Sequence, residues 1–420
     1  MEILVHFISE LLYLVLIFPV AIFSLIFYAL AVKGVKKNKP AARSKKVKKW
    51  PTVTIQIPTK DELVAIRCAK KCLNFDYPKS KFHILIGDDS MDPVNSKKLK
   101  EFAKNHKNVR VTRRGNNIGF KPGNLNHMLK YSKGEILVIF DSDFIPKKNF
   151  LKKIVTPFTF DKKIACVQAK WDYMNIDQNR TSKFASALLM VYHRLIAPIN
   201  NRLGIALLFG SGEAVRKSVV QKLGGWKEWA MTEDVEFSLR AIKNGYKTIY
   251  LENVVVPGEV PFTADGLAKQ QKRWAYGNTK AFFDNIRWMM FGKRFSIPQK
   301  LLLFLTLIGY VSAPILVLFI IIGSVLWFTG TPGLINVSEF SFETSKIMII
   351  NSGFLVAMLV ALFRENKLRI AFSVVVASIT VGLWVSLSVF DGFMKAITRH
   401  KMSWYMIRKT GNETIPVPKI

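Results

Sequence analysis

The stretch Gly134-Glu135-Ile136-Leu137-Val138-Ile139-Phe140-Asp141-Ser142-Asp143 decides the fold. Its five consecutive apolar residues are typical of a strand that is buried on both faces, as in a parallel sheet. The apolar run ends directly in two carboxylates that flank one small residue. Because ligands bind beyond the carboxyl ends of parallel strands, this motif predicts a site at the edge of an α/β sheet.

Further short apolar runs extend this pattern to both sides of the motif. They predict strands at 53–57, 83–86, 109–112 and 165–168, in addition to 136–140. Helix-like stretches separate the runs, as at 62–73 and 97–106. Alternation of strand and helix at this spacing predicts one doubly wound, mostly parallel sheet in a domain that covers 51–296.

Apolar residues gather at the two ends of the 420-residue chain. The stretch 3–32 exceeds the roughly 20 residues that cross a bilayer, and it is too long and too uniformly apolar for a cleaved signal peptide. Three more apolar stretches lie at 301–328, 347–363 and 370–390. We therefore expect a transmembrane helix in 1–33 and transmembrane and interfacial helices in 297–398, with the α/β domain inserted between them.

The chain is strongly basic, with 62 Lys and Arg against 29 Asp and Glu and a formal charge of +33. Nucleic acid, an anionic lipid surface and a general lysine bias are the three interpretations, and the hydrophobic ends argue against nucleic acid as a partner. Nine of the basic residues lie between Lys33 and Lys49, mostly in a linker at 34–50. By the positive-inside rule this flank is cytoplasmic, and so is the domain that follows.

Polar motifs follow the predicted strands. Two of these motifs carry carboxylates that suit hydrogen bonds to a base or ribose: Ile57-Pro58-Thr59-Lys60-Asp61-Glu62 and Gly87-Asp88-Asp89-Ser90. An acidic turn or helix cap would have the same appearance. In Gly119-Phe120-Lys121-Pro122-Gly123-Asn124-Leu125-Asn126, glycines allow close approach of the backbone, and Lys121 suits a phosphate. The alternative there is a polar loop before a helix.

Three further motifs suggest transfer chemistry. Asp141 and Asp143 suit a hard divalent cation, which would neutralise a diphosphate leaving group. In the motif Met231-Thr232-Glu233-Asp234-Val235-Glu236, Asp234 suits the role of a general base. The alternative is a helix that begins there, with Thr232 as its cap and the acidic residues in its first turn. In Gln270-Gln271-Lys272-Arg273-Trp274, the arginine suits phosphate and the tryptophan suits a sugar ring, whereas an amphipathic helix is the plain alternative.

Taken in order, these pieces resemble the processive family 2 glycosyltransferases, which include cellulose, hyaluronan and mannan synthases. The resemblance covers residues 55–280 and rests on IPTKDE, GDDS, KPGNLNHML, GEILVIFDSDFIP, FGSGEAVRKS, GGWKEWAMTEDVEFSLRAIKNGYK and QQKRWAYGN. It implies a GT-A type nucleotide-sugar-binding domain. Each motif alone is modest, but their order and spacing together are specific.

The resemblance also implies roles for single residues. Donor binding would fall to a group of polar side chains from several motifs: Thr59, Glu62, Asp88, Asp89, Lys121, Asp141 and Arg273. Mg²⁺ or Mn²⁺ would lie at Asp141 and Asp143, with Asp143 the more direct ligand. Asp234 would be the base, and Glu233, Gln270 and Trp274 would contact the acceptor. A single in-line displacement with one base implies inversion, from an α-linked donor to a β-glycoside.

The tail at 399–420 adds one more similarity. Trp404 and Lys409 match the aromatic and cationic positions of the family's gating loop, although Ile407 replaces its usual threonine. A gating loop must be cytoplasmic, and three full crossings after the α/β domain would place it outside. We therefore expect 370–390 to form a re-entrant or interfacial helix.

These features predict an integral protein of the cell membrane with a cytoplasmic catalytic domain. It would transfer sugar from a UDP- or GDP-sugar to a growing β-linked polysaccharide, coupled to translocation. The alternative is the transfer of one sugar to a membrane lipid, as in ceramide glucosyltransferases. The sequence leaves the donor base, the sugar and the linkage open.

Overall fold

The structure, a computed structural model, describes residues 2–35, 47–329, 349, 352–407 and 409. Most of the predicted basic linker at 34–50 lies outside the described residues. The segment 329–345 is nearly free of basic residues, which predicts an external loop, and nearly all of it also lies outside the described residues. So do the start of the predicted 347–363 span and the end of the tail.

A seven-stranded sheet forms the centre of the α/β domain, and its strand order is β3-β2-β1-β4-β6-β5-β7. The neighbours β1–β2, β2–β3, β1–β4 and β5–β7 are parallel, whereas β6 is antiparallel to β4 and β5. The predicted mostly parallel sheet is thus confirmed, but β6 and β7 were not predicted. The strands are β1 Val53–Thr59, β2 Phe82–Asp88, β3 Val109–Arg113, β4 Ile136–Ile139, β5 Ile164–Tyr173, β6 Glu213–Arg216 and β7 Lys247–Gly258.

Helices precede, cover and follow this sheet. They are α1 Glu2–Val35, α2 Val64–Leu73, α3 Pro93–Lys104, α4 Phe120–Tyr131, α5 Phe150–Phe160, α6 Arg180–Val191, α7 Ala197–Arg202, α8 Lys217–Lys222, α9 Glu233–Lys243, α10 Ala264–Ile286, α11 Ile297–Ile308, α12 Ser312–Thr329, α13 Gly353–Arg364, α14 Ala371–Ile379 and α15 Val381–Ile397. The π-helical segments Tyr192–Ile196 and Arg287–Phe291 continue α6 and α10.

Apolar cores lie on both faces of the sheet. On one face, Ile55 of β1 packs with Cys68 of α2. On the other, Leu137 of β4 packs with Leu125 of α4 and Phe237 of α9. Successive side chains of a strand point to opposite faces, so a continuous apolar run such as 136–140 supplies both cores at once.

Gly134 lets the chain enter β4 close to β1. A Cβ atom at this position would lie 2.7 Å from the Cα atom of Val53 and closer still to the backbone nitrogen of Thr54. The backbone N–H of Gly134 also donates a 2.8 Å hydrogen bond to the Thr54 hydroxyl. The close approach of the chain to β1 at the start of β4 therefore requires glycine at position 134.

Two helices among the described residues are long and apolar enough to cross a membrane, namely Val15–Gly34 and Ile297–Val325. The first lies in α1, and the second combines α11 with α12. The pair Leu368–Ile379 and Val381–Ile397 is bent by 53°, so it is a third span only if the two halves are counted as one. α1 packs against α12 and α13.

Ion pairs connect both ends of this bent pair to the α/β domain. Before it, Lys367 contacts Asp172 at 3.1 Å, and Arg369 contacts Asp177 at 2.6 Å. Near its end, Asp391 of α15 pairs with Lys272 of α10. The start of the bent pair and a residue near its end thus contact the same α/β domain.

The close approach at Gly134 generates a stability prediction. Gly134→Ala should lower the melting temperature of the detergent-solubilised protein, because overpacking of this kind costs about 1–3 kcal/mol. Gly323→Ala is the control, since the space around the Cβ position there is open within 4 Å. Equal melting temperatures for Gly134→Ala and the wild type would contradict the packing argument.

Candidate active site

A cavity opens where β1, β2 and β4 end, and α4, α9, α10 and the tail close it. All but one of the predicted site residues line it: Thr59, Glu62, Asp89, Lys121, Asp141, Asp143, Glu233, Asp234, Gln270, Arg273, Trp274, Trp404 and Lys409. The structure therefore brings together motifs that are separated by up to 350 residues in the sequence.

Asp88 is the predicted site residue that lies elsewhere. Its side chain is fully buried, and it accepts hydrogen bonds from the Ser90 backbone and the Ser96 hydroxyl at 2.9 and 2.6 Å. The carboxylate therefore orders the turn before α3 instead of lining the cavity. Its neighbour Asp89 does line the cavity and forms a two-point ion pair with Arg114, at 2.9 and 2.6 Å.

Lys121 occupies the centre of the cavity wall. Its ammonium lies 2.7 Å from Asp141 and 3.3 Å from Glu233, and it donates a 2.6 Å hydrogen bond to the carbonyl of Gly210. Burial alone would lower the pKa of Lys121, but the two carboxylates outweigh it and raise the pKa. Lys121 therefore stays charged and joins the exit of β4 to the start of α9.

Lys409 of the tail occupies a cation position beside the Asp141-Ser142-Asp143 motif. Its ammonium is 2.8 Å from Asp143, 2.8 Å from the Ser142 hydroxyl and 3.2 Å from Glu62. Burial opposes ionisation of Asp143, yet Lys409 holds the pKa of that carboxyl below its usual range. Burial raises the pKa of Glu62.

The oxygen atoms of Asp143, Ser142 and Glu62 already surround one cation, the Lys409 ammonium. A hard divalent cation prefers oxygen ligands, so the same side chains fit such a cation. Within the described residues, no group of three His, Cys, Asp or Glu side chains forms a ready metal site. A cation bound at Asp143 and Asp141 would therefore need further oxygen ligands, which phosphate groups can supply.

Asp234 lies in the first turn of α9, beside Glu233. Burial is the main cause that raises the pKa of Asp234, Glu233 adds to it, and the result is about 7. A carboxyl with this pKa suits proton abstraction near neutral pH. The simple helix-cap interpretation does not hold, because the Thr232 side chain makes no capping hydrogen bond within the described part of the chain.

α10 and the tail form the opposite wall. Trp404 stacks on Phe120 with ring centroids 5.6 Å apart, and the guanidinium of Arg273 lies 4.3 Å from the centroid of the Trp404 ring. Arg273 also donates a 2.9 Å hydrogen bond to the carbonyl of Met231, just before α9. The buried Oε1 atom of Gln270 has no hydrogen-bond partner among the described residues.

Comparison with known proteins agrees with this geometry. Residues 136–330 match the family described as glycosyl transferase family group 2. The chain is 29% identical over 262 residues to glucomannan 4-beta-mannosyltransferase 1 of Oryza sativa subsp. japonica, covering 60% of this chain and 50% of that protein. It is 30% identical over 243 residues to the probable glucomannan 4-beta-mannosyltransferase 7 of the same plant, covering 56% and 41%.

The matched region, residues 136–330, is similar to family 2 glycosyltransferase domains. This similarity confirms the predicted resemblance to family 2 glycosyltransferases, and the curated relatives are plant mannosyltransferases. The chain spans about half the length of these curated relatives.

The fold of the domain has a solved counterpart. The mannosyltransferase PcManGT from Pyrobaculum calidifontis, solved in complex with GDP-Man and Mn²⁺, superposes with a TM-score of 0.61 at 18% identity. The match covers 89% of this chain and 99% of that one. It confirms the expected GT-A type fold.

Several residues that line the cavity of the glycosyltransferase domain were missed in the sequence. Trp171 and Glu259 lie at the ends of β5 and β7, and Phe209 and Asn117 lie in loops. Glu259 donates its backbone N–H to Asp143 at 3.0 Å. The same rule of polar residues after a strand would have found Glu259, had β7 been recognised as a strand.

The position of Lys409 generates a binding prediction. Lys409→Gln should raise the affinity for Mn²⁺ in the absence of donor by about tenfold, because a hydrogen bond to a charged group is worth about 1.5–3 kcal/mol and the lysine competes for the same oxygens. Free Mn²⁺ is measured by electron paramagnetic resonance. Lys401→Gln, an exposed lysine of the same tail, is the charge-matched control. Equal affinities in the two variants would refute the competition.

Proposed function

We propose that the protein is a membrane-integrated, inverting glycosyltransferase that transfers a sugar from a nucleotide-sugar donor to a growing β-linked glycan. One observation carries the proposal: Asp234, with a pKa raised to about 7, shares a cavity with the cationic side chains Lys121 and Arg273 and with Trp274. The family 2 match and the plant mannosyltransferase relatives support it.

The reaction requires one base and one leaving group. Asp234 takes the proton from an acceptor hydroxyl, whose oxygen attacks the anomeric carbon of the donor sugar. The bond between that carbon and the diphosphate oxygen breaks, and the nucleoside diphosphate leaves with the bonding electrons. Because attack and departure take place on opposite faces, the configuration at the anomeric carbon inverts.

The cationic side chains receive the donor. Lys121 and Arg273 face the place where the diphosphate develops negative charge, and a group held in position there stabilises the transition state without reorganisation. Asp143 and Asp141 would hold Mg²⁺ or Mn²⁺, which neutralises the leaving group when bound. Asp89 and Thr59, which also line the cavity, would contact the nucleoside.

The acceptor end is formed by α9 and α10. Trp274 offers an apolar ring face to a sugar, and the unpaired Oε1 atom of Gln270 offers an acceptor for a sugar hydroxyl. Glu233 lies between this end and Lys121. We propose mannose as the transferred sugar, because the curated relatives are named as mannosyltransferases.

We propose further that the α/β domain is cytoplasmic and that the bent pair α14–α15 returns to the side from which it came. Lys367 and Arg369 before the pair, and Asp391 near its end, all contact the α/β domain. Lys409, beyond the pair, enters the cavity of that same domain. A full crossing would put one of these ends on the opposite face of the membrane.

A donor screen with purified protein tests the function. GDP-mannose and the UDP-sugars are compared for nucleotide release with Mg²⁺ or Mn²⁺, and the products are separated by size. We expect release with GDP-mannose and a ladder of oligosaccharides. A single glycolipid product would favour the alternative of one-sugar transfer, and no release from any donor would refute the proposal.

The Asp234 carboxyl generates a prediction on pH. Asp234→Asn should abolish nucleotide release, with Asp284→Asn on the exposed part of α10 as the control.

In the wild type the base must be ionised, so release should fall by about tenfold per pH unit below pH 7. A rate that stays constant between pH 5 and pH 8 (about two units below to one above the expected pKa) would contradict the assignment.

Labelling of single cysteines tests the topology. The three natural cysteines are buried, so an introduced cysteine dominates the signal. An impermeant reagent added to intact cells should modify Ser338→Cys, in the predicted external loop, but not Lys401→Cys, in the tail. Modification of both positions from outside would show that the bent pair crosses the membrane.

A further inference from the structure

The loop Phe209–Glu213, here called the Gly210 loop, contacts three separate parts of the active site. The carbonyl of Gly210 accepts the 2.6 Å hydrogen bond from Lys121. The hydroxyl of Ser211 accepts a 2.9 Å hydrogen bond from the backbone N–H of Asp141. A Cβ atom on Gly210 would lie 3.2 Å from the Asp234 carboxylate, so the loop also lies close to the proposed base.

The conformation of this loop depends on glycine. Gly210 and Gly212 have φ angles of +86° and +60°, which place the Ser211 hydroxyl and the Gly210 carbonyl toward the site. A loop of two left-handed glycines has many alternative conformations in the unfolded chain, so something must select this one.

Side chains of β5 and β6 hold the loop. Gln168 accepts a hydrogen bond from the Phe209 backbone N–H and donates one to the Ser211 carbonyl, to which Trp171 also donates.

Glu213, the first residue of β6, binds the loop at Gly210. It is 1% exposed, and its carboxylate accepts a 2.9 Å hydrogen bond from the backbone N–H of Gly210, three residues earlier. β6 lies between β4 and β5, where Glu213 is paired with Ile139 and Gln168. The carboxylate is therefore anchored to the centre of the sheet, directly beside the strand that ends in Asp141.

We propose that Glu213 is a positioning residue for glycosyl transfer: its hydrogen bond to Gly210 holds the loop on which Lys121, Asp141 and Asp234 are aligned. The proposal rests on the proposed function, and it adds to that function a residue that touches neither donor nor acceptor. In this proposal the length of the Glu213 side chain is decisive, because it sets whether the carboxylate reaches the Gly210 backbone N–H.

Two conservative substitutions separate the effect of the length of the Glu213 side chain from the effect of its charge. Glu213→Gln keeps the length of the side chain and an acceptor oxygen but removes the charge. Glu213→Asp keeps the charge but withdraws the carboxylate by one methylene from Gly210. We expect Glu213→Gln to retain at least half of the wild-type kcat, and Glu213→Asp to lose about 10- to 100-fold, since small misalignments of reacting groups have effects of this size.

Val215→Ala, two residues further along β6, is the control for stability. Val215 is a fully buried core residue of the same strand, and its truncation weakens packing without touching the cavity. Melting temperatures are measured for all variants. We expect Val215→Ala to keep its kcat even where its melting temperature falls as far as that of Glu213→Asp.

Each other outcome overturns the proposal. Retained kcat in Glu213→Asp with loss in Glu213→Gln would show that charge matters and not reach. Wild-type kcat in both variants, loss in both, or an equal loss in Val215→Ala would remove the positioning role. Wild-type protein that releases no nucleotide from any donor would instead refute the proposed function itself, and this is established first.

Discussion

The buried ammonium of Lys121 connects the parts of the molecule on which the site depends. It joins Asp141 at the end of β4 to Glu233 at the start of α9, and it also holds the carbonyl of Gly210. An ammonium taken out of water loses several kcal/mol of solvation unless carboxylates and hydrogen bonds replace the water. Here two carboxylates and a carbonyl do so.

A second charge cluster ties the membrane segments to the same domain. Glu365, just after α13, pairs with Lys170 of β5 at 2.9 Å and with Arg194. Burial opposes ionisation of Glu365, but Arg194 and Lys170 lower its pKa to about 2. Lys170 precedes Trp171 of the cavity wall, so this charge cluster is connected to the cavity through β5.

The strand ends were predictable because a short apolar run followed directly by carboxylates is typical of a buried strand that ends at a polar site. The limits are local. Asp88 and Asp89 are adjacent, and alternation along a strand sends one into the fold and the other into the cavity, but which one depends on the neighbouring elements. β6 is only four residues long and begins with the buried Glu213, so it lacks the apolar pattern of a central strand. The position of β6 in the sheet is defined by its pairing with β4 and β5 and not by its own sequence.

The charges in the cavity indicate how donor and cation must arrive. Lys409 pairs with Asp143 and Glu62, and Lys121 pairs with Asp141 and Glu233. A diphosphate that entered alone would add negative charge to a site in which both of these lysines are already paired with carboxylates. A divalent cation that replaces one ammonium adds one net positive charge and also supplies coordination positions for phosphate oxygens. Donor and cation are therefore favoured as a joint ligand, and we expect the Lys409 side chain to leave Asp143 when they bind.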